Sequence, residues 1–98
     1  MSRFLASVNI FVELKQKDKV LATLSKLKDI EEVYEVAGEY DIVTLVSTST
    51  LEEFRDVLQK QIMKIKGVKS TITTIILHQC KGSRCLEKAN IKSASKLG

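Results

Sequence analysis

Nine residues near the start of the chain, Phe4 to Val12, set the first constraint on the fold. Phe4, Ala6, Val8, Ile10 and Val12 alternate with Leu5, Ser7, Asn9 and Phe11. Strand side chains repeat every two residues, so one face of this segment is wholly apolar. Such a strand has to sit in a sheet with that face covered. Lys15-Gln16-Lys17-Asp18 then breaks the alternation. Asp18 is the predicted N-cap of a helix. Val20, Leu21, Leu24 and Leu27 follow at helical spacing up to about Lys28, with Lys17, Lys19 and Lys26 on the wet side.

A second strand is predicted from about Glu32 to Ala37, and Gly38-Glu39-Tyr40 forms a short turn. Asp41 opens a third strand, Ile42 to Ser47. The short connection makes the pair an antiparallel hairpin. Ser49-Thr50-Leu51-Glu52 reads as a capping box, with Thr50 and Glu53 as a shifted alternative. The helix that follows has apolar positions at Leu51, Phe54, Val57, Leu58, Ile62 and Ile65, and Gly67 is placed to end it in a left-handed conformation. A Thr- and Ile-rich last strand runs from about Val68 to Gln79.

The order β-α-β-β-α-β with right-handed crossovers predicts an α+β, ferredoxin-like domain. Both helices then cover one face of a four-stranded antiparallel sheet, against Phe4, Ala6, Val8, Ile10 and Val12. On the other face the alternation places Leu5, Phe11, Ile75 and Leu77 beside Ser7, Asn9, Thr71 and Thr73. An open face that is half apolar suits self-association through the sheet, as a barrel-like dimer.

The chain has 98 residues, enough for one domain, read as residues 1–80, with 81–98 as a basic and flexible tail. The net charge of +4 sits in that tail: Lys81, Arg84, Lys88, Lys92 and Lys96 stand against Glu87 alone. The preceding 80 residues balance 11 basic against 11 acidic side chains. No apolar run reaches the length of a membrane span. The first residues lack the pattern of a signal peptide, so the expected location is the cytoplasm.

Catalytic machinery is not apparent. His78 is the single histidine, and nothing in the spacing places a nucleophile and an orienting group beside it. No Gly-rich phosphate loop is present. Cys80 and Cys85 with His78 offer three ligands at most, too few for a structural zinc site, so no metal and no cofactor is expected. The chain reads as a non-enzyme. The stretch with most chemistry is Gly38-Glu39-Tyr40-Asp41 together with Thr71 and Thr73. Backbone N–H groups at a turn and threonine hydroxyls suit a carboxylate, and Asp41 suits an ammonium. An amino acid needs that mixture. Turn geometry at Gly38, capping by Asp41 and packing by the threonines explain the same residues without a ligand.

Val33-Tyr34-Glu35-Val36-Ala37-Gly38-Glu39-Tyr40-Asp41-Ile42-Val43, followed by Ile65-Lys66-Gly67-Val68-Lys69-Ser70-Thr71-Ile72-Thr73, resembles the effector-binding (RAM) domain of the Lrp/AsnC regulators over about residues 3–80. The resemblance implies a ferredoxin-like domain that dimerises through its sheets and assembles further, often to octamers. It implies amino-acid effectors in clefts between dimers, carried over here to Gly38, Glu39, Tyr40, Asp41, Thr71 and Thr73. The first strand begins at residue 3 or 4, which leaves no room for the family's helix-turn-helix. A stand-alone module follows, one that modulates transcription without reading DNA itself and partners full-length Lrp-like regulators. Two other classes stay open: a small dimeric α+β barrel enzyme of oxygenase or isomerase type, and a nucleic-acid accessory protein acting through the tail.

Overall fold

The computed structural model describes residues 3–82, so the tail from 83 onward, with Cys85, lies outside the described residues. Strand β1 spans Phe4–Val12. A 3-10 turn at Leu14–Gln16 leads into α1, Lys17–Leu24. Strands β2 (Ile30–Glu35) and β3 (Ile42–Thr48) form the hairpin. Helix α2 (Leu51–Asp56) continues as a π-helical segment, Val57–Ile62, and β4 spans Val68–Ile75. The sheet order is β2-β3-β1-β4 and every neighbouring pair is antiparallel. This is the ferredoxin-like arrangement expected from the alternation of elements.

Local boundaries shift from the expected ones for identifiable reasons. Helix α1 starts one residue before Asp18 and has Gln16 at its N-cap, without a side-chain cap bond. The preceding 3-10 turn, with the Gln16 N–H donating to the Glu13 carbonyl, runs straight into the helix, so Asp18 already lies in the first turn and serves there as an acid rather than as a cap. The helix also stops at Leu24, where Ser25 bonds back to the Leu21 carbonyl through both N–H and hydroxyl. At α2 the shifted cap is the one used. Thr50 Oγ1 accepts from the Glu53 N–H at 3.1 Å, and Glu53 Oε1 accepts from the Ser49 N–H at 3.0 Å. The helical segment ends at Ile62, so Gly67 belongs to the turn before β4 rather than to a helix cap. It does carry the left-handed backbone, at φ +104°.

The π-helical segment follows from the apolar spacing. Phe54, Val57 and Ile62 are buried, and Gln61 is exposed. At 100° per residue Ile62 would stand about 140° round from Val57 and miss the core. Widening the turn brings it back, and the Met63 N–H reaches the Leu58 carbonyl at 2.9 Å, five residues earlier.

The core lies between the sheet and the two helices. Ala6, Val8, Ile10 and Val12 of β1 pack with Val20, Leu24, Ile42, Val46, Phe54, Val57 and Ile62. The Phe4 and Phe54 rings meet at 5.2 Å. Each such side chain contributes about 1.5–3 kcal/mol by leaving water. That burial, rather than intrinsic helicity, holds an eight-residue helix such as α1 in place. Thr44 is fully buried and resolves its polarity by donating to the Val8 carbonyl at 3.1 Å.

The register corrects one expectation about the open face. Cross-strand partners share a face. Val8 pairs with Thr73, and Ile10 with Thr71. Thr71, Thr73 and Ile75 therefore stand on the helix side with Val8 and Ile10, not beside Ser7 and Asn9. The open face of β4 is formed instead by Ile72, Thr74 and Ile76, next to Asn9, Ser7 and Leu5. Parity along one strand does not carry to another until their pairing is known. The open face remains half apolar: Phe11, Val43, Leu45, Tyr34 and Ile72 lie on it, while Leu5, on the same face, is buried.

Candidate functional site

The hairpin loop covers residues 36–41, longer than a tight turn. Its ends are tied by the Val36 N–H donating to the Asp41 carbonyl and the Asp41 N–H donating to the Ile10 carbonyl, both at 3.1 Å. At this point β3 turns away while β1 continues. The Val12 N–H would be left without its next ladder partner. Asp41 Oδ2 takes that place, accepting from Val12 N at 2.9 Å. Asp41 thus has a structural role, as the capping explanation requires, and a carboxylate retains further acceptor sites. Tyr40 lays its ring against Phe11 at 5.2 Å and 60°. Glu39 is exposed.

Gly38 behaves differently from the turn-geometry explanation. Its φ is not in the left-handed region, and a Cβ there would meet nothing within 4 Å. Neither strain nor crowding inside the subunit calls for glycine. The position leaves backbone open to an approach from outside the subunit.

Thr71 shares a row across the sheet with Ile10, Ile42 and Glu35. It lies at the hairpin end of β4, two strands from the hairpin base, about 10 Å away at the usual strand spacing. Thr73 lies one row further in, opposite Val8. The fold therefore brings Thr71 and the hairpin to one end of the molecule but does not close them into a pocket within one subunit.

One group at this end escaped the sequence reading. Lys17, the first residue of α1, places Nζ 3.0 Å from Glu35 Oε2 on β2. The hydrogen bond from Lys17 to Glu35, helped by the same carboxylate's charge, raises the lysine pKa above its ordinary 10.5, and Asp41 and Asp18 add to the effect. The signal was a lysine at a helix start facing an acidic edge strand, which becomes visible only once the helix crosses back over the sheet.

Elsewhere, the Cys80 thiol lies 3.6 Å from His78 Nδ1, in an exposed setting. Among the described residues no three His, Cys, Asp or Glu side chains gather in a way that could hold a metal ion. A surface hollow of about 180 Å³ lies along α2, lined by Glu52, Arg55, Asp56 and Gln59. It is a groove on the outer side of the helix, not a chamber between helix and sheet. Among the described residues no helix is long and apolar enough to cross a membrane.

Comparison with known proteins gives a consistent family. The family described as the Lrp/AsnC ligand binding domain matches residues 5–86. The HTH-type transcriptional regulator FL11 of Pyrococcus horikoshii is 37% identical over 73 residues, covering 74% of this chain and 48% of that protein. The chain thus spans about half the length of the transcriptional regulators it matches. A crystal structure of a Thermus thermophilus protein superposes with a TM-score of 0.76 at 29% identity, covering 81% of this chain and 99% of that one. A feast or famine regulatory protein of M. tuberculosis, complexed with L-methionine, superposes with a TM-score of 0.71 at 32% identity, covering 84% of this chain and 55% of that one.

Proposed function

The chain belongs to the Lrp/AsnC ligand-binding domain family, and from that premise we propose that it senses an amino acid at the hairpin end of its sheet and transmits the signal through assembly. The observation that carries the reading is Gly38, a residue that the subunit's own geometry does not require to be glycine. The donors and acceptors of a zwitterion site would come from two places at this end: open backbone at Gly38 and Glu39 with the Asp41 carboxylate on the hairpin, and the Thr71 and Thr73 hydroxyls across the sheet on β4. The methionine complex of the M. tuberculosis relative supports an amino acid as the ligand class.

The spacing within one subunit also bears on how the site works. The hairpin and Thr71 are about 10 Å apart, too far for the adjoining carboxylate and ammonium of one amino acid to bridge. A second copy brought against this end supplies the missing wall. Ligand and assembly are then linked, because a ligand that binds one assembled state shifts the equilibrium toward it. The half-apolar open face, with Phe11, Val43, Leu45 and Ile72, suits sheet-to-sheet dimerisation as the first step. Dimers then build a higher, octamer-like assembly.

Acting in the cytoplasm, the module would modulate transcription beside full-length Lrp-like regulators. The regulator FL11 supports the transcriptional setting. The aliphatic core, with Thr44 committed to a backbone carbonyl, supports a binding rather than a catalytic role.

Calorimetric titration with a panel of common amino acids tests the proposal. At least one is expected to bind with a dissociation constant at or below the millimolar range, and Asp41→Asn is expected to weaken it at least about tenfold, or about 1.4 kcal/mol. A panel without any heat at millimolar concentration would overturn it.

A further inference from the structure

The contact between His78 and Cys80 plays no part in the amino-acid site. Strand β4 ends at Ile75, which pairs with Ala6, and the Ile76 N–H donates to the Leu5 carbonyl. His78 and Cys80 follow just beyond, at the opposite end of the sheet from the hairpin. Both side chains are exposed, and the Cys80 thiol is free. Cys80 Sγ lies 3.6 Å from His78 Nδ1.

That distance has a chemical meaning beyond a thiol–imidazole hydrogen bond. Zinc holds thiolate sulfur at about 2.3 Å and imidazole nitrogen at about 2.0–2.1 Å, in tetrahedral geometry. Two ligands at those lengths and about 109° apart stand about 3.6 Å from each other. The pair already has the separation that a tetrahedral ion imposes on its ligands.

The chain around Cys80 adds to this. Gln79 Nε2 donates to the Lys81 carbonyl at 3.0 Å, and Gly82 turns over that amide at φ +130°, where a Cβ would run into it. Gln79 Oε1 is buried and accepts no hydrogen bond among the described residues, so an unused acceptor lies in the residue between the two candidate ligands. Cys85 follows three residues after Gly82, outside the described residues. Cys80-Lys-Gly-Ser-Arg-Cys85 puts four residues between the thiols, within the spacing that zinc ligands use. Only two of these ligands belong to the described residues, which is why no group of three appears among them. Three ligands are too few for a closed structural site. They match an open one, in which the protein fills three positions and a fourth is left for water or another donor. Thiolate and imidazole favour zinc over magnesium or calcium, which take oxygen ligands. Two thiolates cancel the charge of a dication, so Lys81 and Arg84 in the same stretch do not oppose the loaded site.

We propose that His78, Cys80 and Cys85 bind one zinc-type divalent ion per chain, through His78 Nδ1 and two thiolates. Each thiol gives up its proton to solvent as its bond to the metal forms, and neutral His78 contributes the lone pair of Nδ1. Loading therefore releases protons. It also ties the chain at Cys85 to the end of β4. The proposal does not rest on the amino-acid reading, which concerns the other end of the sheet.

Titration of the full chain with cobalt(II) and then zinc(II), reduced and without oxygen, tests it. Cobalt is expected to give a thiolate charge-transfer band and the intense visible bands of a tetrahedral centre, saturating at one equivalent per chain. Zinc should displace the cobalt, release protons and bind with a dissociation constant of about 1 μM or tighter. His78→Ala, Cys80→Ser and Cys85→Ser should each weaken zinc at least about tenfold. Circular dichroism checks that the three variants fold, as substitutions at exposed His78 and Cys80 should allow. No cobalt spectrum, or a zinc affinity indifferent to these substitutions, overturns the proposal. Saturation at half an equivalent also overturns it, because the ion then lies between two copies. A chain that ignores zinc but forms a Cys80–Cys85 disulfide with oxidised glutathione makes the thiols a redox pair, and the metal site fails.

Discussion

A Cβ at Gly67 would run into the Gln16 side chain, and the residue sits at φ +104°. Its carbonyl also accepts from the Glu13 N–H at 2.8 Å, which ties the turn before β4 to the end of β1. Gly67→Ala should therefore cost at least about 2 kcal/mol in denaturant unfolding. Gly38→Ala should stay within about 0.5 kcal/mol of wild type while reducing amino-acid affinity. The pair separates a glycine that the fold needs from one that only a ligand or partner would need, and a large loss of stability at Gly38 would contradict that distinction. On the proposed reading, Asp41 combines both roles in one side chain. Asp41→Ala orphans the Val12 N–H and should cost about 1–2 kcal/mol. Asp41→Asn keeps an oxygen for that N–H and should cost clearly less. It nevertheless removes the charge an ammonium would meet. Equal destabilisation by both substitutions would mean that charge, not the acceptor, holds the hairpin. Lys17 has a simpler signature. Its pKa is raised by Glu35, so its contribution to stability is complete below the unfolded value of 10.5 and is lost as pH rises through the higher folded value. Lys17→Met should flatten the alkaline limb of the stability profile and leave the acidic limb unaltered by this lysine.

At the level of elements, the π-helical segment behaves as a one-residue insertion in a helix. Deleting exposed Gln61 would place the isoleucine now at 62 seven residues after Phe54, with Val57 between them at three. That is the inward stripe of an ordinary α-helix. The deletion variant should fold with a melting temperature at or above that of wild type. A fall of more than about 4–8 °C, equivalent to about 1 kcal/mol in a domain of this size, would show that the packing of Ile62 demands the wider turn. The cap at Thr50 is worth about 1 kcal/mol, and Thr50→Ala should lose that much in chemical denaturation. Much of this scale was legible in advance. The apolar alternation of β1, the Thr50–Glu53 cap and the hairpin are local, and local patterns survive in a one-dimensional reading. The orientation of β4 was not. It depends on the pairing of Val12 with Val68 and the irregularity beside Phe11, a long-range register that puts Thr71 on the helix side. Asp18 failed as a cap because the 3-10 turn ahead of α1 runs straight into the helix, which begins at Lys17 and leaves Asp18 inside its first turn.

For the whole molecule, the net charge of +4 belongs to residues 81–98, while the balanced charge of residues 1–80 conceals an acidic β2 edge and a lysine-rich turn before β4, and only the sheet order reveals that these are opposite. The hairpin loop and Thr71 lie toward one end of the sheet. On the proposed reading, that placement links ligand binding to assembly. Of the candidate site, Asp41 and the hairpin were legible from residue types and spacing together with the family resemblance. Lys17 was not, because its neighbour Glu35 is brought to it by a helix crossing back over the sheet. The incomplete site within a single subunit was not legible either, because it follows from a distance across three strands. The most direct test of the account is the mass of the full chain in solution, measured by sedimentation with and without each common amino acid at millimolar concentration. The account predicts a dimer or a multiple of dimers whose distribution shifts with at least one amino acid, and no such shift for Asp41→Asn. A mass distribution identical with every amino acid tested would contradict it.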